Sequence, residues 1–161
     1  MCAIHGYCWQ DKKLIGEMLC KAHHRGPDGQ GTFFNNDISL GHNLLSITDT
    51  PSVSKQPWEH NDLVLVYNGE IYNHMDLRKS LDYKFETETD TETLAVGLEK
   101  KGIKFIYELD GMFAFACYNK VNKKVWLVRD INGAKPLYYG HHEGRLAFSS
   151  EVKSLLECGF P

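Results

Sequence analysis

The tightest constraint on this chain lies at its very start. Residues 2–8 alternate, with Cys2, Ile4, Gly6 and Cys8 on one side, which is the period of a β-strand. A strand that begins at residue 2 fixes the N-terminus in the body of the fold. It also immobilises a cysteine with unusual potential chemistry. Removal of Met1 would leave Cys2 with a free α-amine beside its own thiol. Such an amine, with a reference pKa of about 7.7 to 8.0, is partly neutral near pH 7 and can serve as general base for a thiol of reference pKa about 8.5. Nucleophile and base would then share one residue. Taken alone, Cys2 reads more readily as an arbitrary small residue after the initiator, so the rest of the chain has to decide.

Composition narrows the classes. With 161 residues, 42% hydrophobic and 24% charged, the chain has material for a full core, and a single domain over residues 1–161 is expected. A net charge of -3 and the lack of any Lys/Arg run speak against nucleic acid. No apolar run approaches the length of a membrane span and no charged-then-apolar leader is present, so the expectation is no membrane and a cytoplasmic location. Five scattered cysteines suit reduced thiols better than a disulfide framework. His23-His24 and His141-His142 are neighbours whose side chains diverge, and no Cys/His set has ligand spacing, so no metal site is expected.

Along the chain, Leu14, Ile15, Met18, Leu19 and Ala22 recur at helical spacing up to a stop at Gly26-Pro27. The run His24 to Gly31 is rich in glycine and reads as a shaped loop, braced by Arg25 with Asp28 or set beside a site. Strands are expected at 32–34 and 38–42, the latter continued by 44–47, followed by a loop from Pro51 to Trp58. Asp62 to Tyr67 is a further β-run, and Asn68-Gly69 after it has two readings. By spacing it is a type I′ hairpin turn; chemically, an Asn amide beside a Gly N–H can also hold the oxyanion of acyl transfer. Asn73 is placed as the cap of a helix carrying Leu77 and Leu81, with Asp76 and Arg78 on its wet side. Thr89-Asp90-Thr91-Glu92 matches a capping box opening a helix that stops at Gly102. Asp90 favours that helix's positive end or faces a ligand amine. A short helix at 103–109, paired strands at 112–118 and 125–128, a turn at Asn132-Gly133, strands at 136–139 and 146–148 and a last helix at 151–156 complete the series.

Taken in order, the motifs resemble a known family. They are Met1-Cys2 with Ile4 and Gly6, H-R-G-P-D-G-Q-G at 24–31, L-G-H at 40–42, L-S-I at 45–47, Q-P-W at 56–58, V-Y-N-G-E-I-Y-N-H at 66–74, D-T-E at 90–92, L-D-G-M-F-A-F-A at 109–116, R-D at 129–130 and K-P-L-Y-Y at 135–139. Together they are similar to the N-terminal glutaminase domain of glutamine-hydrolysing asparagine synthetases, a class II glutamine amidotransferase. The resemblance implies an α+β fold, the four-layer αββα sandwich of two mainly antiparallel sheets found in N-terminal-nucleophile hydrolases. It implies glutamine as substrate, Cys2 as nucleophile, Asn68 and Gly69 as the oxyanion hole, and Glu70, Asp90 and the 44–47 segment with Leu44 and Ile47 in contact with glutamine. No cofactor is implied. Ammonia would pass to an ATP-dependent synthetase; no synthetase domain lies within the 161 residues, which leaves a separate synthetase subunit, an excised fragment and an orphan glutaminase all open, as is the oligomeric state.

The departures from the family pattern are local. Ala3 stands for the usual glycine and His5 for an aromatic residue, and R-D-I-N-G-A-K-P replaces R-D-R-F-G-I-K-P. Leu44 occupies the position where the family has the arginine that binds glutamine's α-carboxylate, a charge-assisted contact worth roughly 1.5 to 3 kcal/mol. His42 or Lys55 could supply a cation in its place. The alternative readings are an interaction module that keeps the fold without catalysis, and an amide hydrolase for a substrate lacking that carboxylate.

Overall fold

The alternation at residues 2–8 becomes β1 (Ala3–Tyr7), the middle strand of a five-stranded antiparallel sheet. A computed structural model describes residues 1–46 and 55–160. In this first sheet β1 lies between β3 (Ser39–Leu44) and β9 (Arg145–Ser149), with β2 (Gly29–Phe34) and β8 (Tyr138–His142) at the edges. The second sheet is four-stranded, in the order β4 (Trp58–His60), β5 (Leu63–Ile71), β6 (Gly111–Asn119) and β7 (Val125–Arg129), again antiparallel throughout.

Period-2 alternation sorts the side chains of each strand into two layers. Ile4, Leu40 and Phe148 from the first sheet meet Val64, Val66, Ala114, Ala116 and Tyr118 from the second in the space between the sheets. The small faces of Ala114 and Ala116 sit in this inter-sheet layer. On the outer side of the first sheet, Tyr7 and Ala147 pack against Ile15, Met18 and Leu19 of α1 (Lys12–Lys21), whose N-cap Asp11 accepts from the backbone N–H groups of Lys13 and Leu14. α4 (Val152–Leu155) lies beside α1, tied by the Ser154 hydroxyl donating to the Met18 carbonyl at 3.2 Å. On the outer side of the second sheet, Leu65, Tyr67 and Phe115 pack against α2 (His74–Arg78) and α3 (Asp90–Lys101) through Leu77, Leu94, Ala95 and Leu98. Helix, sheet, sheet, helix is the expected α+β order of layers.

Several local expectations are corrected. Asn68-Gly69 is no hairpin turn: both residues lie inside β5, paired with Ala114 and Phe113 of β6, and neither has positive φ. The two-residue turns fall elsewhere. Asn61 (φ 49°) sits between His60 and Leu63, and Glu143 (φ 49°) with Gly144 (φ 76°) links β8 to β9, the positive φ pair of a type I′ turn. The 24–31 loop is shorter than read, because His23–Arg25 forms a 3₁₀ turn and Gly29–Gly31 pairs with His42–Leu44. Arg25 pairs with Glu151, not Asp28, whose carboxylate accepts from the Ser46 N–H. Asn73 stands at the N-cap of α2 as expected, but its side chain makes no capping bond; its amide oxygen accepts from Asp110 N–H and its amide nitrogen donates to the Glu108 carbonyl. Leu81 lies beyond the end of α2, and Arg78 is half-buried, not on a wet face.

Two histidines are fully enclosed. His5 is hydrogen-bonded to Ser149 Oγ and Asn43 Oδ1, both at 2.9 Å, and burial pushes its pKa down to about 4 despite the Asn43 bond. Burial likewise pushes His42 down to about 3, helped by neighbouring His5. Both remain neutral in the folded state at pH values where an unfolded histidine, pKa about 6.5, is protonated. Their contribution to stability is therefore fully present above about pH 6.5 and is lost as pH falls toward the folded values, at about 1.4 kcal/mol per pH unit for each histidine in that window. Urea denaturation between pH 7.5 and pH 5 will show the midpoint falling with acidification, and His5→Gln will flatten the slope; a midpoint independent of pH over this range would contradict the assignment.

Candidate functional site

Cys2 precedes β1 by one residue and continues the parity of Ile4, so its side chain belongs to the inter-sheet side. The sulfur is half-buried and held by the 44–46 segment: Leu45 N–H points at Sγ from 3.4 Å and the thiol faces the Leu45 carbonyl at 3.7 Å. Arg25 fixes the backbone here. Its Nε donates to the Cys2 carbonyl at 3.1 Å, Nη1 pairs with Glu151 at 2.8 Å, and Nη2 lies 3.4 Å from the Met1 sulfur. Met1 is half exposed, and while it is attached the nitrogen of Cys2 is a peptide nitrogen.

Asn68 has the parity of Val64 and Val66 and so also faces the space between the sheets. It is 3% exposed, yet its Nδ2 has no hydrogen-bond partner among the described residues. A buried amide donor left open costs about 1 to 3 kcal/mol, so its retention points to a ligand atom. Gly69 follows with no room for a side chain: a Cβ would lie 2.5 Å from the Met112 carbonyl oxygen and 2.7 Å from Phe113 Cα.

The Asp90 carboxylate comes from the outer layer of the second sheet, whereas Glu70 lies in β5 itself. Asp90 is the first residue of α3, and its Oδ2 accepts from the Tyr67 hydroxyl at 2.5 Å and from Ile71 N–H at 3.0 Å. The capping box is half made. Thr89 Oγ1 accepts from Glu92 N at 3.3 Å, but the Glu92 carboxylate accepts from Glu86 N, Thr87 N and the Thr87 hydroxyl instead of returning to Thr89. Arg78 locks the same loop, donating to the carbonyls of Thr87 and Thr89 at 2.6 Å each and to Thr93 Oγ1, with its guanidinium 4.1 Å from the Phe85 ring centroid.

These elements enclose a cavity of about 570 Å³ whose lining includes Cys2, Leu44, Asn68, Gly69, Glu70 and Asp90. Of the residues read from the sequence, six are thus brought together; Ile47 lies outside the described residues. Neither suggested substitute cation serves. His42 is enclosed and neutral, and Lys55 lines a separate groove with Gly31, Thr32 and Trp58. The sequence reading missed Tyr67, Gln56, His74 and Lys135, which line the cavity too. Lys135 was visible in K-P-L-Y-Y, and its backbone is set by Asp130, whose carboxylate accepts from the N–H groups of Phe113, Asn132, Ala134 and Lys135. Burial opposes ionisation of Asp130, but those N–H groups prevail and hold its carboxyl below the usual range. A thiol, an open amide donor and an anionic wall around one cavity suit attack on a carboxamide whose far end carries a positive charge.

Comparison with known proteins shows the family. The sequence profile of the glutamine amidotransferase domain matches residues 1–160. A putative glutamine-hydrolysing asparagine synthetase of Methanocaldococcus jannaschii is 35% identical over 180 residues, covering 97% of this chain and 35% of its own length. Asparagine synthetase B of Escherichia coli is 40% identical over 150 residues, covering 90% of this chain and 27% of its own. The chain therefore spans about a third or less of the length of these relatives. Among solved structures, the glutamine phosphoribosylpyrophosphate amidotransferase of B. subtilis superposes with a TM-score of 0.80 at 19% identity, covering 98% of this chain and 43% of that one.

The contacts around Gly69 give a direct test of the cavity wall. Gly69→Ala forces β5 away from β6 and will cost about 1 to 3 kcal/mol, read as a lower midpoint in urea. An unchanged midpoint would mean that the two strands do not meet as closely as described.

Proposed function

The chain belongs to the glutamine amidotransferase domain family, and from that premise we propose that it hydrolyses glutamine to glutamate and ammonia through a thioester on Cys2. The observation that carries this reading is the open Asn68 Nδ2, buried on the same inter-sheet side as Cys2 and lining the same cavity. Removal of Met1 frees the α-amine of Cys2. The amine takes the thiol proton, and the sulfur attacks the γ-carboxamide carbon, forming the S–C bond. The carbonyl oxygen becomes an oxyanion that accepts from Asn68 Nδ2 and Gly69 N–H, each such donor being worth about 2.7 to 4 kcal/mol of barrier. Collapse breaks the C–N bond, and ammonia leaves with the proton that the amine returns. Water then attacks the thioester with the amine again as base, giving glutamate and the restored thiol.

Glu70 and Asp90 hold the α-ammonium of glutamine. Leu44 contributes an apolar wall and no charge, and Lys135 supplies the cation for the α-carboxylate. Lys135 is the one lysine or arginine lining the cavity among the described residues, and it has no ion pair there. An enzymatic role is favoured over an interaction module by the 35% and 40% identity to glutamine-hydrolysing relatives and by the assembled residue set. The ammonia released would serve an ATP-dependent synthetase on a partner domain or subunit. The reaction belongs in the cytosol, where thiols such as Cys2 stay reduced; no helix among the described residues is long and apolar enough to cross a membrane.

Two experiments test this assignment. Intact mass of the purified protein will show loss of Met1, and a glutamine analogue with an electrophilic γ-position will add once, at Cys2. Cys2→Ala abolishes glutamate release, and Asn68→Ala lowers kcat about 10²- to 10³-fold; retention of Met1 with undiminished activity would sink the amine-as-base mechanism. Separately, Leu44→Arg adds a carboxylate partner and will lower KM for glutamine about tenfold with little change in kcat. A higher KM would mean that the segment at Leu44 does not meet the carboxylate.

A further inference from the structure

Asp90 faces the cavity as a carboxylate that no cation neutralises: none of the ion pairs among the described residues includes it. It is held instead by two neutral donors, both on one oxygen. The Tyr67 hydroxyl donates to Oδ2 at 2.5 Å and Ile71 N–H to the same atom at 3.0 Å, leaving Oδ1 without a partner among the described residues. Tyr67 is 3% exposed, stands on the helix-facing side of β5 and immediately precedes Asn68. Burial, together with the charges of Asp90 and Glu70, drives its pKa well above the ordinary tyrosine value, so it stays protonated and remains a donor at all working pH.

A cationic partner would have fixed Asp90 equally well, but it would have cancelled the charge that an ammonium ligand needs. A neutral donor fixes orientation and leaves the charge intact. We infer that Tyr67 is the positioning residue of this site, aiming the free Oδ1 of Asp90 at the α-ammonium of the substrate. This rests on the reading that the cavity takes glutamine. Because Tyr67 and Asn68 are consecutive in one strand, the residue that holds the ammonium anchor and the oxyanion donor are spaced by a single peptide unit. That rigid spacing suits a substrate whose amide and ammonium are a fixed number of bonds apart.

The test measures binding in a Cys2→Ala background, so that it does not depend on turnover. Calorimetric titration uses glutamine and glutaramate, the same molecule without its α-amino group. Tyr67→Phe, which removes only the hydroxyl, is expected to weaken glutamine about tenfold and leave glutaramate within twofold. In an Asp90→Asn background the same change is expected to cost less than twofold, since the carboxylate it positions is gone. Unchanged glutamine affinity in Tyr67→Phe overturns the inference. So does an equal loss for both ligands, or an undiminished loss in the Asp90→Asn background. Glutamate release by the wild-type chain is scored separately: its absence strikes the catalytic reading, whereas the binding pattern alone judges Tyr67. A Cys2→Ala protein that binds no glutamine overturns both.

Discussion

The two-residue period of a β-strand is the constraint on which the site depends. In β1 it sends Cys2 and Ile4 to the space between the sheets and His5 and Tyr7 toward α1; in β5 it sends Val64, Val66 and Asn68 inward and Tyr67 outward toward α3. A slip of one residue in either strand would move a thiol or an amide donor to the wrong layer. The registers are therefore held by apolar packing on both faces: Leu40, Phe148, Ala114 and Ala116 between the sheets, Ile15 and Met18 outside one, Leu94 and Leu98 outside the other. Burying each large side chain contributes about 1.5 to 3 kcal/mol, which is ample to forbid the slip.

The same alternation explains why the site joins two outer layers. Asn68 reaches the cavity from the inner face of β5, whereas Tyr67 reaches Asp90 from the outer face. The loop before α3 has to be fixed if Asp90 is to meet Tyr67, and Arg78 performs that task with three donors and a ring contact. On the opposite layer Arg25 plays a comparable part, tying the Cys2 carbonyl to Glu151 beyond β9. Two half-buried arginines thus hold backbone around the reactive groups without lining the cavity themselves.

Apolar periodicity made the strands and the principal helices legible, because it reports packing directly, whereas the six cavity residues read from the sequence came from the ordered motifs and the family they resemble. Local sequence rules misplaced what tertiary contact decides. Asn-Gly reads as a turn by local φ preference, yet β6 runs alongside Asn68 and Gly69 and turns them into ladder residues; glycine is required there for close approach, not for positive φ. The real type I′ turn at Glu143-Gly144 carried a weaker local signal. Glu92 and Arg78 were read by helix rules as a capping residue and a wet-face residue, but both are spent on the 86–89 loop, a contact outside the helix period. His42 carried a possible charge in the sequence and loses it to burial.

The proposed zwitterionic ligand would meet a cavity wall where Leu44 carries no charge. Glu70, Glu88 and Asp90 line it, with Lys135 as the only lysine or arginine among the described residues. Two unit charges about 4 Å apart interact by about 4 kcal/mol at an effective dielectric constant of 20 and by about 1 kcal/mol in water, so exclusion of solvent matters as much as the number of charges. Leu44, 7% exposed, replaces a hydrated group by hydrocarbon at the cavity wall. In the proposed binding mode it offers no partner to the ligand carboxylate and leaves Lys135 as the cation at that end. In that mode selectivity would move toward the ammonium end of the ligand, where Asp90 enters no ion pair among the described residues.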